Sequence, residues 1–325
     1  MSERVCGQLS LADGLVRTTA ESVLDRIAVV VDWAAIDAVL QPMRRPGVGA
    51  PGYPPIVVLR CLLLGVWHGL SDPALETAVS DRISFRRFAG LSLHDAVPDH
   101  STLWRFRESL REAGLIELVF AEINRQLEAR GLIVKRGTLI DASLVAARAR
   151  PPRRGQSGEA PARPAADTDA NWGRKGRKST FGYKIHIGVD AAHTLIRRAE
   201  LTPASVTDTE PADRLICGDE KAVYGDQAYY THARHDRLKA AGIKDRLMRR
   251  PNKHHPELPP RHKRRNRLIS AVRAAVERPF AVFKEHYALR RMRFFNLARN
   301  QAHIMLACCA YNLRRAAAAP RPAPA

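Results

Sequence analysis

The spacing of apolar residues changes character once along this chain, at Gly137. Before that point every recognisable pattern is helical. Trp33 to Leu40 predicts a short helix, ended by Pro42. A loop with Gly47, Gly49, Pro51, Gly52 and Pro54 follows, and Pro55 suits the first turn of the next helix. Ile56 to His68 is almost wholly apolar, as in a buried helix. Asp72-Pro73 supplies a cap and first turn for a helix running through Val79. Asp99 and Ser101 are turn and cap residues ahead of Leu103 to Ala113, and Leu115 to Ala129 is amphipathic until Gly131. Residues 1–135 are therefore expected to form a separate all-helical region.

From Gly137 the pattern is mixed. GTLIDASLVAARA is β-branched and apolar around one acid, Asp141, and predicts a strand buried on both faces. Phe181 to Val189 alternates, and Leu195 to Leu201 is its expected partner across a turn at Ala192-His193. A helix over Asp208 to Cys217, a short strand over Ala222 to Tyr224, a helix over His232 to Ala241 and a strand over Lys244 to Met248 come next. Arg261 to Tyr287 and Leu297 to Arg315 complete the series as two long helices. Strands interleaved with helices in this order predict an α/β domain over 136–317, with helices packed on a mixed sheet. The Ala/Pro-rich residues 318–325 are expected to be a disordered tail. Residues 146–180 contain no Ile, Leu, Val or Phe, but four Pro, four Gly and nine Arg or Lys. Such a stretch cannot bury a core, so it is expected to be a flexible basic segment.

Arg273 to Lys284 joins charge to an apolar stripe. At about 100° per residue, Arg273, Glu277 and Lys284 share one narrow helical face, beside a stripe of Ile269, Val272, Val276, Phe280 and Phe283. Pro279 lies inside the same run.

Charge narrows the class. The chain carries a net charge of +20 over 325 residues, with 45% hydrophobic content. A protein this basic repels itself unless a polyanion is near, which makes nucleic acid the expected partner. Between Lys244 and Arg299, seventeen Lys or Arg stand against four Asp or Glu, a track suited to a phosphate backbone. No apolar run approaches the roughly 18 residues of a membrane span. Five cysteines without CxxC spacing indicate neither a disulfide framework nor a zinc site, so reduced thiols and a cytoplasmic location are expected. Trp67 and Trp104 are expected in the core, whereas Trp172, set among Arg174, Lys175 and Arg177, is a candidate for stacking on a base. His186 alternates with Ile185 and Ile187 and is expected to face away from them.

Three acids remain. Asp141 lies within an apolar strand, where a charge is costly unless it is paired or binds metal. Asp226 follows a strand and a turn-permitting Gly225, and Glu277 lies on the charged helical face. Three carboxylates without a Cys or His set favour a hard cation, Mg²⁺ or Mn²⁺. Two such ions about 3.5–4 Å apart activate the attacking oxygen of a phosphodiester and stabilise the leaving one.

These pieces resemble the DDE transposases of bacterial insertion sequences, in particular the group related to insertion sequence five. The matching segments are PDHSTLWRFR at Pro98–Arg107, the LIDAS strand, GYKIHIGVD, VYGDQAYY, VERPFAVFK and LACCAYNL, in family order from about Tyr53 to Leu313. The resemblance implies an RNase H-like catalytic domain with Asp141, Asp226 and Glu277 as the metal-holding triad, served by Mg²⁺ with Mn²⁺ able to substitute. It also implies binding to terminal inverted repeats and target DNA through the helical region, a homodimer when assembled on DNA, and a nucleoid-associated cytoplasmic enzyme. The wider superfamily carries a Tyr-Arg-Glu-Lys signature. Arg273, Glu277 and Lys284 match its spacing, while Ser270 stands in the tyrosine position. Arg273 and Lys284 are thus candidate phosphate contacts, as are Arg105, Arg107, Arg174 and Lys175. Two other readings are an RNase H-like nuclease without strand transfer and a silent, transposase-derived DNA-binding protein.

Overall fold

The structure, a computed structural model, describes residues 4–9, 13, 22–44, 51–152, 166–251 and 256–319. The expectations for Gly47 and Gly49, for much of the 146–180 segment and for the end of the tail lie outside the described residues. The chain divides into two compact units, Met1–Arg130 with Met305–Ala325, and Gly131–Ile304.

In the first unit seven helices are described before Gly131: α1 (Val23–Ala28), α2 (Trp33–Val39), α3 (Pro55–Trp67), α4 (Asp72–Asp81), α5 (Ile83–Ala89), α6 (His100–Glu112) and α7 (Leu115–Ala129). Side chains fix several of their starts. Ser22 and Asp25 form a capping box on α1, and the Asp99 carboxylate accepts the Thr102 amide at 2.7 Å to cap α6. α3 is buried along nearly its whole length and forms the centre of the unit. The C-terminal part of the last helix belongs to this unit too. There the Trp67 indole donates to the Ala310 carbonyl at 2.8 Å, and the Asn312 amide donates to Asn124 Oδ1 at 2.7 Å.

Two expectations for α6 are corrected. Trp104 is 47% exposed, not core. Arg107 is buried, and its guanidinium makes two hydrogen bonds to the two oxygens of Asp72, at 2.7 and 3.0 Å. A head group paired in this way is not available to phosphate, so Arg107 is a structural residue joining α4 to α6. Arg105 remains on the surface, its Nη2 donating to Ser101 Oγ at 3.1 Å.

The second unit holds a six-stranded mixed sheet of β1 (Thr138–Ala146), β2 (Asn171–Lys175), β3 (Lys178–Asp190), β4 (Ile196–Pro203), β5 (Ala222–Gly225) and β6 (Lys244–Leu247). Its order is β2-β3-β1-β5-β6, with β4 also pairing β3. β1, β3 and β4 run antiparallel in turn, and β5 and β6 continue the sheet parallel to β1. With α8 (Ala212–Leu215), α9 (His232–Ala240), α10 (Pro260–Arg273), α11 (Glu277–Glu285) and the first part of α12 (Leu297–Ala317), this is the RNase H-like mixed α/β fold. One apolar cluster joins Ile140 and Val223 of the sheet to Leu215, Tyr229 and Leu238.

Three segments differ from the sequence expectation. Residues 171–180 are not a flexible segment; they form the β2–β3 hairpin around Gly176, which has φ +60°. β2 has no large aliphatic residue, but Gly173 lets its backbone lie against Leu144 and Ala204, where a Cβ would come within 2.8 Å of each. Just before it, buried Asp167 accepts the Tyr183 hydroxyl at 2.7 Å and the Asn296 amide at 3.2 Å, while Asp169 accepts the Leu297 amide at 2.8 Å. The chain entering β2 is thereby tied to the start of α12. Between Asp208 and Cys217 only four residues are helical, because Pro211 opens the turn and Glu220 captures the Cys217 and Gly218 amides. The helix expected over Arg261 to Tyr287 is interrupted by a 3₁₀ turn at Ala274–Val276. Pro279 has no N–H for the carbonyl four residues earlier, at Ala275, and its ring crowds that carbonyl, so the turn tightens there.

The Arg107–Asp72 pair gives a direct check. Both side chains are largely buried, 8% and 15% exposed, so Arg107→Ala removes a two-point, charge-assisted contact from a mostly dry site. It is expected to cost roughly 3 kcal/mol in denaturant unfolding.

Candidate active site

Strand register brings the first two acids together. β1 pairs β5 in parallel, with Thr138 beside Val223 and Leu139 beside Tyr224. Ile140 then lies against Gly225, where an added Cβ would approach Ile140 Cγ1 to 3.0 Å; Asp226 follows directly after β5, and its charge acts on Asp141. Neighbouring strands are about 4.8 Å apart, so two carboxylates on one face of adjacent strands feel each other strongly. Gly225 is required here. A Cβ at that position would also meet Leu247 Cδ2 at 2.8 Å and Tyr229 Cβ at 3.2 Å. β6 continues the row: the Met248 amide donates to the Gly225 carbonyl at 3.0 Å.

Helices supply the cations. Arg273, the last residue of α10, donates from Nη2 to Asp141 Oδ2 at 3.1 Å, while Nη1 reaches Met248 Sδ at 4.0 Å. Ser143, two residues beyond Asp141 and on the same strand face, accepts from Lys284 Nζ at 2.6 Å. Lys284 lies seven residues along from Glu277, nearly two helical turns, so both project from one side of α11. Glu277 itself is exposed, at the first residue of α11 just after the 3₁₀ turn. Ser270 is exposed on α10.

The electrostatics follow from this packing. Burial pushes the Asp141 carboxyl above the usual carboxylate range; Arg273 and the Ala142 amide pull it back, and the Asp226 charge raises it again. Burial also lowers the Lys284 ammonium, helped by Lys175 and Arg290. Lys175 belongs to the β2–β3 hairpin, so the hairpin's cations act on this site. Trp172 on the same hairpin is 47% exposed, with its ring 5.6 Å from Phe181. Arg174 is exposed, its Nε donating to the Gly176 carbonyl at 2.9 Å.

Sequence reasoning missed Ser143, Met248 and Tyr229. Ser143 was readable from the period of two on β1, but Met248 needed the β5–β6 register. Tyr229 is fully buried with a hydroxyl that has no hydrogen-bond partner, and burial with the charges of Asp208, Asp141 and Asp226 pushes its pKa up. His186 does face away from its neighbours: it is buried against Thr202 Oγ1 at 2.9 Å, and burial lowers it to about 4.

The donors fit a hard divalent cation. They are carboxylate oxygens, and two of them lie side by side where burial makes a shared negative charge costly. Asp141 Oδ1 and Asp226 Oδ1 each accept a local amide, from Ala142 at 2.9 Å and Ala228 at 2.8 Å, which orients both side chains. The three acids are not, however, the tightest group. Among the described residues, the set whose ligand atoms all lie within 4.8 Å is Cys217, Asp219 and Glu220, and there Arg197 and Lys135 already supply the counter-charge.

An RNase H-like sheet with paired acids at its centre defines a class of nucleic-acid-processing enzymes. Residues 133–313 match the model of the Transposase DDE domain, and residues 15–109 that of the Transposase domain (DUF772). The chain belongs to the DDE transposase family, polynucleotidyl transferases that depend on divalent metal ions. Two solved structures match at low similarity. The piggyBac transposase synaptic complex with hairpin DNA is 11% identical, covers 91% of this chain and 74% of its own, and gives a TM-score of 0.48. The Mos1 strand transfer complex is 12% identical, covers 83% and 81%, and gives 0.20. Among the described residues no single helix is long and apolar enough to cross a membrane.

The raised Asp141 carboxyl has a measurable consequence. A carboxyl raised by folding contributes stability below its unfolded pKa and loses that contribution as pH rises through the folded value. Removing the neighbouring charge with Asp226→Asn lowers the folded value. In metal-free buffer at neutral pH this variant is expected to unfold later than the parent, by on the order of 1 kcal/mol. The gain should fade as pH drops below about 4, where Asp141 is protonated in both states. Calorimetric scans across pH test the sign.

Proposed function

We propose that this transposase belongs to the group related to insertion sequence five, binds the inverted repeats of its element, nicks there and joins the 3′-hydroxyl to target DNA. The observation that carries the reading is Asp141 on β1 with Asp226 directly after the neighbouring β5, Arg273 held on Asp141 and Lys284 anchored on the same face of β1. In this reading Asp141, Asp226 and Glu277 hold the metal. When bound, Mg²⁺, or Mn²⁺ in its place, supplies activation of the attacking oxygen and stabilisation of the leaving one. Glu277 would act from the start of α11, in a stretch bracketed by two anchors, Arg273 on Asp141 and Lys284 on Ser143.

The remaining residues bind and orient. Lys284 and Arg273 neutralise the scissile phosphate, and the burial that weakens the Lys284 ammonium is relieved when it meets an anion. Arg174 and Lys175 at the hairpin hold the flanking strand, and Trp172 offers a face for base stacking. Arg105 contacts phosphate from the helical region, within residues 1–135, which we assign to end recognition. The chain works as a homodimer assembled on DNA, in the bacterial cytoplasm at the nucleoid.

The triad reading is tested by neutral isosteres. Asp141→Asn, Asp226→Asn and Glu277→Gln should each bind end DNA as the parent does, in a mobility-shift assay at stated salt. The binding comparison is made in metal-free buffer; in Mg²⁺ or Mn²⁺ each should cut at least about 100-fold more slowly, with the triple variant hardly worse. Glu285, exposed on α11 and 3.9 Å from Arg290, is the control. Loss of cleavage in Glu285→Gln with retention in Glu277→Gln would overturn the assignment of the third acid.

A further inference from the structure

We infer that Arg273 couples DNA binding to metal loading: its guanidinium is the resident counter-ion of Asp141, and it gives way to a divalent cation when a DNA phosphate draws it off. The inference rests on the triad reading above and adds to it a linkage between two ligands.

The geometry places the guanidinium in competition with any cation for the same oxygens. Nη2 holds Asp141 Oδ2 at 3.1 Å. Nη1 lies 4.0 Å from Met248 Sδ, whose residue donates its amide to the Gly225 carbonyl just ahead of Asp226. Its own satisfaction is poor. Nε is buried without a hydrogen-bond partner among the described residues, and the contact with a thioether is weak. A guanidinium has five donors and binds a phosphate through two at once. A phosphate oxygen arriving at α10 therefore offers Arg273 more than its present setting does.

The position of Arg273 makes such a move small. It is the last residue of α10 and borders the 3₁₀ turn that Pro279 imposes, so its side chain leaves from a helix end rather than from a packed interior. α10 has Ile269 as its one buried residue and displays Arg261, Lys263, Arg264 and Arg267 on its surface. A duplex drawn to those cations brings phosphates along the helix that ends at Arg273.

Two consequences follow. Without DNA, Arg273 lowers the affinity of the acid pair for a divalent ion, because each ion that enters must displace a cation already hydrogen-bonded to Asp141. With DNA, that cost is removed. By linkage, DNA raises metal affinity and metal raises DNA affinity by the same factor, and couplings of this kind run from about 5- to 150-fold.

The experiment measures Mn²⁺ binding by the electron paramagnetic resonance of the free ion, using the full chain, with and without random-sequence duplex DNA at low salt, corrected for Mn²⁺ held by DNA alone. For the parent, DNA is expected to tighten Mn²⁺ binding about fivefold or more. In Arg273→Gln, Mn²⁺ should bind the free protein more tightly than it binds the parent, and DNA should add little. Arg273→Lys, which keeps the charge but loses the second donor group, should fall between them and guards against misfolding of the first variant. Equal Mn²⁺ affinity in parent and Arg273→Gln without DNA, or an unchanged response to DNA in Arg273→Gln, would overturn the inference. Asp226→Asn separates the two readings. If it binds Mn²⁺ as the parent does, the acid pair is not the metal site and the triad reading fails; if it loses Mn²⁺ while Arg273→Gln behaves like the parent, only the coupling fails.

Discussion

Two negative charges on adjacent strands of a buried sheet are the constraint around which the catalytic unit is arranged. Burial alone makes an ionised Asp141 costly, and the charge of Asp226 adds to the cost. The fold answers with cations brought from helices rather than from the sheet. Arg273 arrives at the end of α10, and Lys284 docks from α11 onto Ser143. A 3₁₀ turn at Ala274–Val276 separates those helices, and Glu277 follows it, between the Arg273 and Lys284 anchors.

The same constraint explains the glycine before Asp226. Ile140 of β1, Leu247 of β6 and Tyr229 close on Gly225, leaving no room for a side chain in the residue that precedes Asp226. The pair is thus specified by backbone packing, while the third acid depends on a helix end. This division agrees with the burial: Asp141 is largely enclosed and Glu277 is exposed.

Much of this was legible in the sequence, for physical reasons. An acid inside an apolar strand and an acid after a Gly-terminated strand are conspicuous because their environments penalise them, and the apolar periods located most strands and helices. What escaped needed tertiary information. Arg107 looks like any cation on an amphipathic helix until Asp72 of another helix is seen beside it, and Trp104 sits on a helix whose buried side is set by Leu103 and Leu110. The β2 strand lacks every apolar marker, since its order comes from pairing with β3 and from the Asp167 and Asp169 contacts to α12. Pro279 was visible as a helix breaker, but the break lies at the turn before it, where the orphaned carbonyl is.

The last helix has a consequence for how the protein matures. α12 begins in the catalytic unit and ends in the helical one, where Trp67 and Asn124 hold Ala310 and Asn312. The helical unit is therefore discontinuous in sequence: residues before Gly131 wait, during synthesis, for a segment made only after the catalytic unit. A ribosome that stalls within the catalytic unit releases an N-terminal product whose centre lacks its closing helix, with apolar surface left open to proteolysis. Synthesis thus couples the two units: the helical half is completed only in molecules that already carry the catalytic half.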